Sequence, residues 1–382
     1  MIDVSVIIPT KNEERTVGIC IQKIKKVFKE YNINGEIIVS DNSTDNTPKI
    51  ARSMGAKVVA PDKEGYGYAY LYAFKHAKGK YIVIGDADDT YDFLEIPKLL
   101  KPLMNGEADI VIGSRFKGKI MKGAMPWLHR YIGNPILTWF LNFFYKAGVS
   151  DAHSGFRAFT RNALEKMVLT SHKMEFASEM IMEAMLRNLK VKEVPITYYP
   201  RRGGESKLNS WKDGWRHLKF MIINTPKHLY YIPGITLFSI GFIIILLMNI
   251  SSIRIGKIVL GYNTIILSSM LVLIGYQLIF LGVYASIYLI ERRSINPDKL
   301  TKFLVKNITL EKGLLIGLII FIIGLTYSLT LLFNWINSGF QKIPAVNQSI
   351  LSYTLIIIGI QTIFNSFYLS MIIGLKSKNL NK

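Results

Sequence analysis

Four long stretches without a single charged residue dominate the second half of this chain: residues 229–253, 258–290, 313–341 and 343–375. Each supplies the roughly 20 mostly apolar residues that a helix needs to cross a bilayer. In hydrocarbon the backbone must satisfy its own hydrogen bonds, so these stretches are read as helices. Buried helices of a soluble domain are the competing reading, which four such runs in succession disfavour. Spans are expected at about 229–250, 262–290, 313–336 and 350–375, within a transmembrane domain of residues 229–382.

Charge in the connecting segments orients the spans. Arg292, Arg293, Lys299, Lys302, Lys306 and Lys312 lie between the second and third, and Lys376, Lys378 and Lys382 follow the fourth. The opposite loops hold only Arg254 and Lys257, then Lys342. The positive-inside rule therefore puts both termini in the cytoplasm. No signal-peptide pattern precedes Val4, so the first half is expected to stay there. The net charge of +20 invites a nucleic-acid reading. However, its clusters flank apolar segments, as in Arg201, Arg202, Lys207, Lys212, Arg216, Lys219 and Lys227. Such clusters attract anionic lipid head groups or a lipid phosphate. No nucleic-acid-binding motif is present, so nucleic acid is not expected as a partner. The single cysteine, Cys20, excludes an intrachain disulfide framework and a cysteine-based zinc site.

Before the spans, short apolar runs alternate with helical patterns. Residues 4–8, 36–40, 57–60, 81–84 and 109–112 read as strands; 17–31, 47–54, 68–76 and 96–104 read as helices. This β-α-β alternation implies an α/β domain with a largely parallel sheet covered on both faces. Ligands of such sheets lie beyond the carboxyl ends of the strands. Two aromatic segments follow, 126–147 with Trp127, Trp139 and Phe143, and 210–231 with Trp211 and Trp215. Pro135 makes the first a poor span, and both read as interfacial helices or as core helices of the soluble domain.

The polar residues cluster where strands end. Asp86-Ala87-Asp88 follows the apolar run 81–84, and two carboxylates at that spacing can grip a divalent cation that shares a diphosphate. An Asp-rich turn is the plainer reading. Asp41 can accept hydrogen bonds from a base or ribose, while Asp45 and Thr47 suit the cap of the next helix. Gly65 and Gly67 would allow close backbone approach to a phosphate. Glu175 and Glu179 share a helix face. The loop from Arg201 to Lys207 is cationic and could stabilise a departing diphosphate.

Taken in order, Val6-Ile7-Ile8-Pro9-Thr10-Lys11-Asn12-Glu13, Val39-Ser40-Asp41-Asn42-Ser43-Thr44-Asp45, Asp86-Ala87-Asp88, Gly113-Ser114-Arg115, Ser154-Gly155-Phe156-Arg157 and Gly204-Glu205-Ser206-Lys207 resemble family-2 glycosyltransferases. Within them the chain is similar to the polyprenyl-phosphate glycosyltransferases, the group containing dolichyl-phosphate mannose synthase. The resemblance covers roughly residues 3–228. It implies a Rossmann-like, GT-A type nucleotide-sugar-binding domain in residues 1–207, a juxtamembrane helix in 208–228, and inverting transfer of a hexose to a polyprenyl phosphate. GDP-mannose is the favoured donor, with UDP-glucose as alternative. The resemblance also implies site residues. Pro9, Thr10, Glu13, Val39 and Asp41 would form the nucleotide pocket, and Asp86, Ala87 and Asp88 would meet the donor diphosphate. Asp86, Asp88 and Thr90 would bind Mg²⁺ or Mn²⁺. Arg115 and Arg130 would hold the acceptor phosphate and, with Asp88, form the catalytic set. Glu179 would orient the sugar, and Arg201 and Lys207 would meet donor phosphates. Asp89-Thr90 stands where many mannose synthases carry Leu-Gln, and Ser40 displaces the usual strand-two aspartate, leaving Asp41 alone. A processive polysaccharide synthase would carry Gln-x-x-Arg-Trp, which is absent from the sequence. A non-catalytic flippase or scaffold subunit would not need both Asp86 and Asp88.

Overall fold

The computed structural model describes residues 2–203, 210–251, 254–255, 258–293, 300–303 and 309–374. Two compact units divide the chain, Met1–Ile223 and Asn224–Lys382.

The first unit is built on a seven-stranded sheet. Its strands are β1 (Val4–Thr10), β2 (Gly35–Asp41), β3 (Lys57–Val59), β4 (Tyr81–Ile84), β5 (Ile110–Ile120), β6 (Arg157–Thr160) and β7 (Val191–Tyr198), in the spatial order β3-β2-β1-β4-β6-β5-β7. β1 pairs in parallel with β2 and β4, and β2 with β3. β6 runs antiparallel to both β4 and β5, while β5 and β7 are parallel. The sheet is therefore mixed, where the sequence pattern suggested a largely parallel one. The reversed strand escaped notice because it is four residues long and begins with Arg157. β7 carries Pro195, which an edge strand tolerates because one side of it needs no ladder donors.

Helices cover both faces, which explains why β1 is apolar almost throughout rather than alternating. Val4, Val6 and Ile8 pack with Ile21 and Ile24 of α1 (Val17–Glu30) and Leu99 of α4 (Ile96–Met104). Ile7, Ile38 and Ile82 face the other way, onto Tyr70 of α3 (Tyr66–Phe74) and Phe176 and Met180 of α7 (Phe176–Leu186). In α1, Val17, Cys20, Ile21, Ile24 and Val27 are buried, the i, i+3, i+4, i+7 stripe of an amphipathic helix. The remaining helices of this unit are α2 (Thr47–Ser53), α5 (Asn134–Tyr145), α6 (Arg161–Lys166) and α8 (Ser210–Ile223).

Both aromatic segments are two-sided. Pro135 sits in the first turn of α5, where proline is accommodated. Leu141 of α5 is buried with Ile112, Ile181 and Met221, whereas Trp127, Trp139 and Phe143 are exposed. On α8, Met221 is buried and Trp211 and Trp215 are exposed. Each helix thus packs on the domain along one face and presents aromatic rings along another.

Among its described residues the second unit holds four apolar helices long enough to cross a membrane: Lys227–Ile250, Tyr262–Arg293, Leu310–Asn337 and Val346–Ile373. Helices two and four are joined by side-chain hydrogen bonds at several depths: Ser269 with Thr354 (2.7 Å), Tyr276 with Thr362 (2.5 Å) and Tyr284 with Asn365 (2.9 Å). Between helices one and two, Arg254–Ile255 and Ile258–Val259 form a short antiparallel pair. Of the loop cations counted from sequence, Lys257, Lys299, Lys306, Lys376, Lys378 and Lys382 lie outside the described residues.

Candidate active site

The carboxyl ends of β1 and β2 meet in register, with Pro9 opposite Ser40 and Thr10 opposite Asp41. The Thr10 hydroxyl donates to Asp41 Oδ1 at 2.7 Å, and the Ser43 hydroxyl donates to the same oxygen at 2.5 Å. Ser40 is turned away and donates to the carbonyl of Ala69. The Val39 side chain is wholly within the core. The loops after the two strands are laced together: Asn12 N–H donates to Ser43 Oγ, and Glu13 N–H to Thr47 Oγ1. Asp45 accepts from the Thr47 N–H and hydroxyl in a local turn before α2, whose N-cap is Asn46 rather than Asp45 and makes no side-chain capping bond.

Beyond β4 stand Asp86 and Asp88. Tyr66 donates its hydroxyl to Asp86 Oδ1 at 2.9 Å. Gly155 lies so close that a side chain there would bring its Cβ to 2.8 Å from Asp86 Oδ2. Burial, then the neighbouring Asp88 charge, push the Asp86 carboxyl up to about 7. Asp88 Oδ1 accepts from the Thr90 N–H (3.1 Å) and hydroxyl (2.6 Å). Asp88 Oδ2 accepts from Arg201 Nε at 3.0 Å, and Arg201 Nη2 reaches Glu13 Oε1 at 3.1 Å. Burial weakens the Arg201 charge, but Asp88 and Glu13 outweigh it and raise its pKa. The Thr90 hydroxyl proton is thus spent on Asp88. Ala87 is buried, and its carbonyl accepts from Cys20 Sγ.

This donor set suits a hard divalent cation. It consists of carboxylate oxygens, and their repulsion already draws in a guanidinium. Among the described residues no three His, Cys, Asp or Glu side chains converge on one point.

Arg115, on β5, is buried and committed. Its Nε and Nη2 grip Asp151 Oδ2 and Oδ1, each at 2.7 Å, and its guanidinium lies over the Tyr198 ring at 5.1 Å. Arg130 stands on the turn His129–Gly133, over Tyr131 at 5.4 Å, and no contact described links it to Arg115. Glu179 has no exposed surface. It accepts from the backbone of Thr170 and Ser171 and from the Thr170 hydroxyl, bracing that loop. The same loop answers the question of Gly65 and Gly67: a Cβ on either would fall 2.2 Å from the His172 or Ser171 carbonyl. Their close approach is to another stretch of this chain. Lys207 lies outside the described residues.

Four contacts emerge that sequence reading does not foresee. Tyr66 fixes Asp86, Asp151 fixes Arg115, Glu13 shares Arg201 with Asp88, and Asp89 is held between Lys23 and Arg202. Each contact joins residues far apart in sequence, so no local spacing announces it.

The fold is that of a GT-A type nucleotide-sugar-binding domain followed by an all-α, four-helix transmembrane domain. Residues 5–168 match the glycosyl transferase family 2 model, and residues 283–373 match the glycosyltransferase family 2 C-terminal transmembrane region. A low-salt glycan biosynthesis hexosyltransferase, Agl6, of Haloferax volcanii is 46% identical over 365 residues, covering 96% of this chain and 88% of that protein. A dolichyl-phosphate hexose transferase of the same organism is 35% identical over 214 residues, 56% of this chain and 89% of that protein. Among solved structures, the glucosyl-3-phosphoglycerate synthase of Mycobacterium tuberculosis with Mn²⁺, UDP-glucose and phosphoglyceric acid aligns with a TM-score of 0.48 and 21% identity, covering 58% of this chain and 78% of that one. The chain belongs to glycosyltransferase family 2. It is a membrane glycosyltransferase.

Proposed function

We propose that this enzyme moves a hexose, with inversion, from a nucleotide-sugar donor to a polyprenyl phosphate at the cytoplasmic face of a membrane. The observation that carries the reading is the gathering of Asp86, Asp88, Glu13 and Arg201 beyond the strand ends of a domain whose chain continues into four apolar helices. Residues 1–207 would be the cytoplasmic catalytic domain, 208–228 a juxtamembrane helix and 229–382 the membrane anchor, with both termini in the cytoplasm. The similarity to a dolichyl-phosphate hexose transferase supports the lipid acceptor.

The acceptor phosphate arrives already anionic near neutral pH and needs no strong base. One of its oxygens forms the new bond to the anomeric carbon from the face opposite the diphosphate. The bond to the diphosphate breaks, and its electron pair leaves with the nucleoside diphosphate. Arg201, released from Asp88, neutralises charge on that leaving group. Arg130 and the Asp151-braced Arg115 would steady the acceptor phosphate. Mg²⁺ or Mn²⁺ held by Asp86 and Asp88 would supply further charge stabilisation on the diphosphate.

GDP-mannose is the donor favoured by family resemblance. One observation favours a uridine donor such as UDP-glucose instead. Asp41 Oδ1 already accepts two hydrogen bonds, from Thr10 and Ser43, which leaves Oδ2. A single acceptor oxygen suits the one N–H of uracil better than the paired donors of guanine. Incubating the protein with radiolabelled nucleotide sugars and a polyprenyl phosphate, then extracting lipid, tests both readings. Metal-dependent label in the lipid phase is expected. Label that stays in water with every donor would overturn the proposal.

A further inference from the structure

The residue that breaks the family pattern, Asp89, sits in an unusual place. It is almost completely buried, yet its backbone is left-handed (φ 58°), a conformation that non-glycine residues rarely adopt. The turn sends its side chain toward α1, where Oδ1 accepts from Lys23 Nζ at 2.7 Å. Lys23 also reaches Asp92 at 3.2 Å. Asp89 Oδ2 is buried and lies 3.0 Å from Arg202 Nε, in a contact of charge rather than an aligned hydrogen bond. Arg202 is otherwise largely exposed.

Two consecutive carboxylates therefore meet two consecutive arginines. Asp88 pairs with Arg201 and Asp89 with Arg202, each at 3.0 Å. The rungs differ in what they can give up. Asp88 and Glu13 hold Arg201 at the proposed diphosphate site, so an arriving cation and donor compete for that contact. Asp89 faces away, toward Lys23, and has no reason to exchange its partner when the donor binds.

We propose that Asp89 is a positioning residue for the donor diphosphate. Through Arg202 it keeps the neighbouring Arg201 at the site while Arg201 changes partner from Asp88 and Glu13 to the leaving diphosphate. The proposal rests on Asp86 and Asp88 being the diphosphate site. Tethering one rung keeps the other arginine at high effective concentration, so its transfer to the diphosphate carries little entropic penalty. It also gives the departure at position 89 a purpose: an uncharged residue there could not hold Arg202.

The test uses the full chain in detergent. Asp89→Asn keeps an acceptor for Lys23 and a residue tolerant of the left-handed backbone, while removing the charge that holds Arg202. Asp89→Asn and Arg202→Gln are each expected to raise the donor KM, and the Kd of UDP or GDP with Mn²⁺ measured by calorimetry, by about fivefold. The acceptor KM should not move. The double variant should be no worse than the poorer single one, because both remove the same contact. High salt should shrink the difference from the parent protein. Unchanged donor affinity in both single variants, or additive losses in the double one, would overturn the proposal. If Asp88→Ala kept full transfer, the diphosphate site itself would fall and the proposal with it. If Asp88→Ala abolished transfer while Asp89→Asn and Arg202→Gln bound donor normally, only the role of Asp89 would fall.

Discussion

The carboxyl edge of the sheet and the interface between membrane helices two and four spend polar groups in opposite ways. At the sheet edge, charged groups are gathered and partly unsettled. Asp88 and Glu13 share one arginine, and burial, then the neighbouring Asp88 charge, push the Asp86 carboxyl up to about 7. Between the helices, neutral hydroxyls and amides meet in pairs, as in Ser269 with Thr354 and Tyr276 with Thr362. The first arrangement leaves charge that a ligand can relieve. The second satisfies polar atoms that lipid cannot, and so specifies helix packing. Chemistry belongs to the region where charged pairing is strained, and anchoring to the region where neutral pairs tie helix to helix.

The sharpest way to break this contrast is at Asp88. Asp88→Ala should lower transfer of sugar to lipid about a thousandfold, the scale of losing a positioned charge-stabilising group. Thin-layer counting of labelled lipid checks it, and near-normal transfer would remove the sheet edge from the chemistry. A second variant separates pairing that is strained from pairing that is structural in the same unit. Asp151→Ala would leave the buried Arg115 guanidinium without its bidentate partner. Breaking a buried pair from one side costs about 3–5 kcal/mol. A large drop in the unfolding midpoint is expected, together with faster hydrogen exchange along β5.

These two residues also show what the chain discloses before it folds. Asp88 is legible because its partner carboxylate lies two residues away and an apolar strand precedes both. Asp151 is not, because its meaning depends on Arg115, 36 residues distant, and on burial that arises only when β5 and the loop before β6 pack together. The same distinction runs through the fold. The four spans and the early strands follow from hydropathy, a local property. β6 and β7 were missed because Arg157 and Pro195 disguise them, and only sheet position makes either acceptable. Glu179 drew notice for sharing a helix face with Glu175, but spacing cannot say which loop a face will meet. The Arg201 contact with Glu13 spans 188 residues and leaves no local trace.

A pair of histidines packed edge to face offers a test by pH. His153 Nε2 and His217 Nδ1 both lie within hydrogen-bond reach of Ser178 Oγ, at 3.2 and 2.7 Å, and join α8 to α7. Burial pushes the His217 imidazole down to about 4, and burial, then the nearby His217 and Arg115, hold His153 well below its ordinary value. In the unfolded chain each binds a proton near 6.5. Between pH 6.5 and about 4 the unfolded state therefore holds more protons, so stability falls as pH falls. For His217 alone the loss should reach about 2 kcal/mol by pH 5. His217→Phe should flatten the midpoint-versus-pH curve in that window. A curve as steep as the parent's would show that the pair titrates normally.

The smallest effect should come from the membrane helices. Tyr284 donates to Asn365 Oδ1 at 2.9 Å and stands edge-on to Tyr368 at 4.7 Å. Tyr284→Phe keeps the ring contact and removes the hydrogen bond, which between helices in a bilayer is worth about 0.6 kcal/mol. A slight gain in sensitivity to denaturing detergent is expected, with donor KM, metal dependence and turnover unchanged. That outcome would hold the two regions apart, one neutral and structural, the other charged and chemical. A tenfold fall in turnover with the fold intact would instead show that a polar pair in the spans takes part in presenting the lipid acceptor, and the division drawn between the regions would then fail.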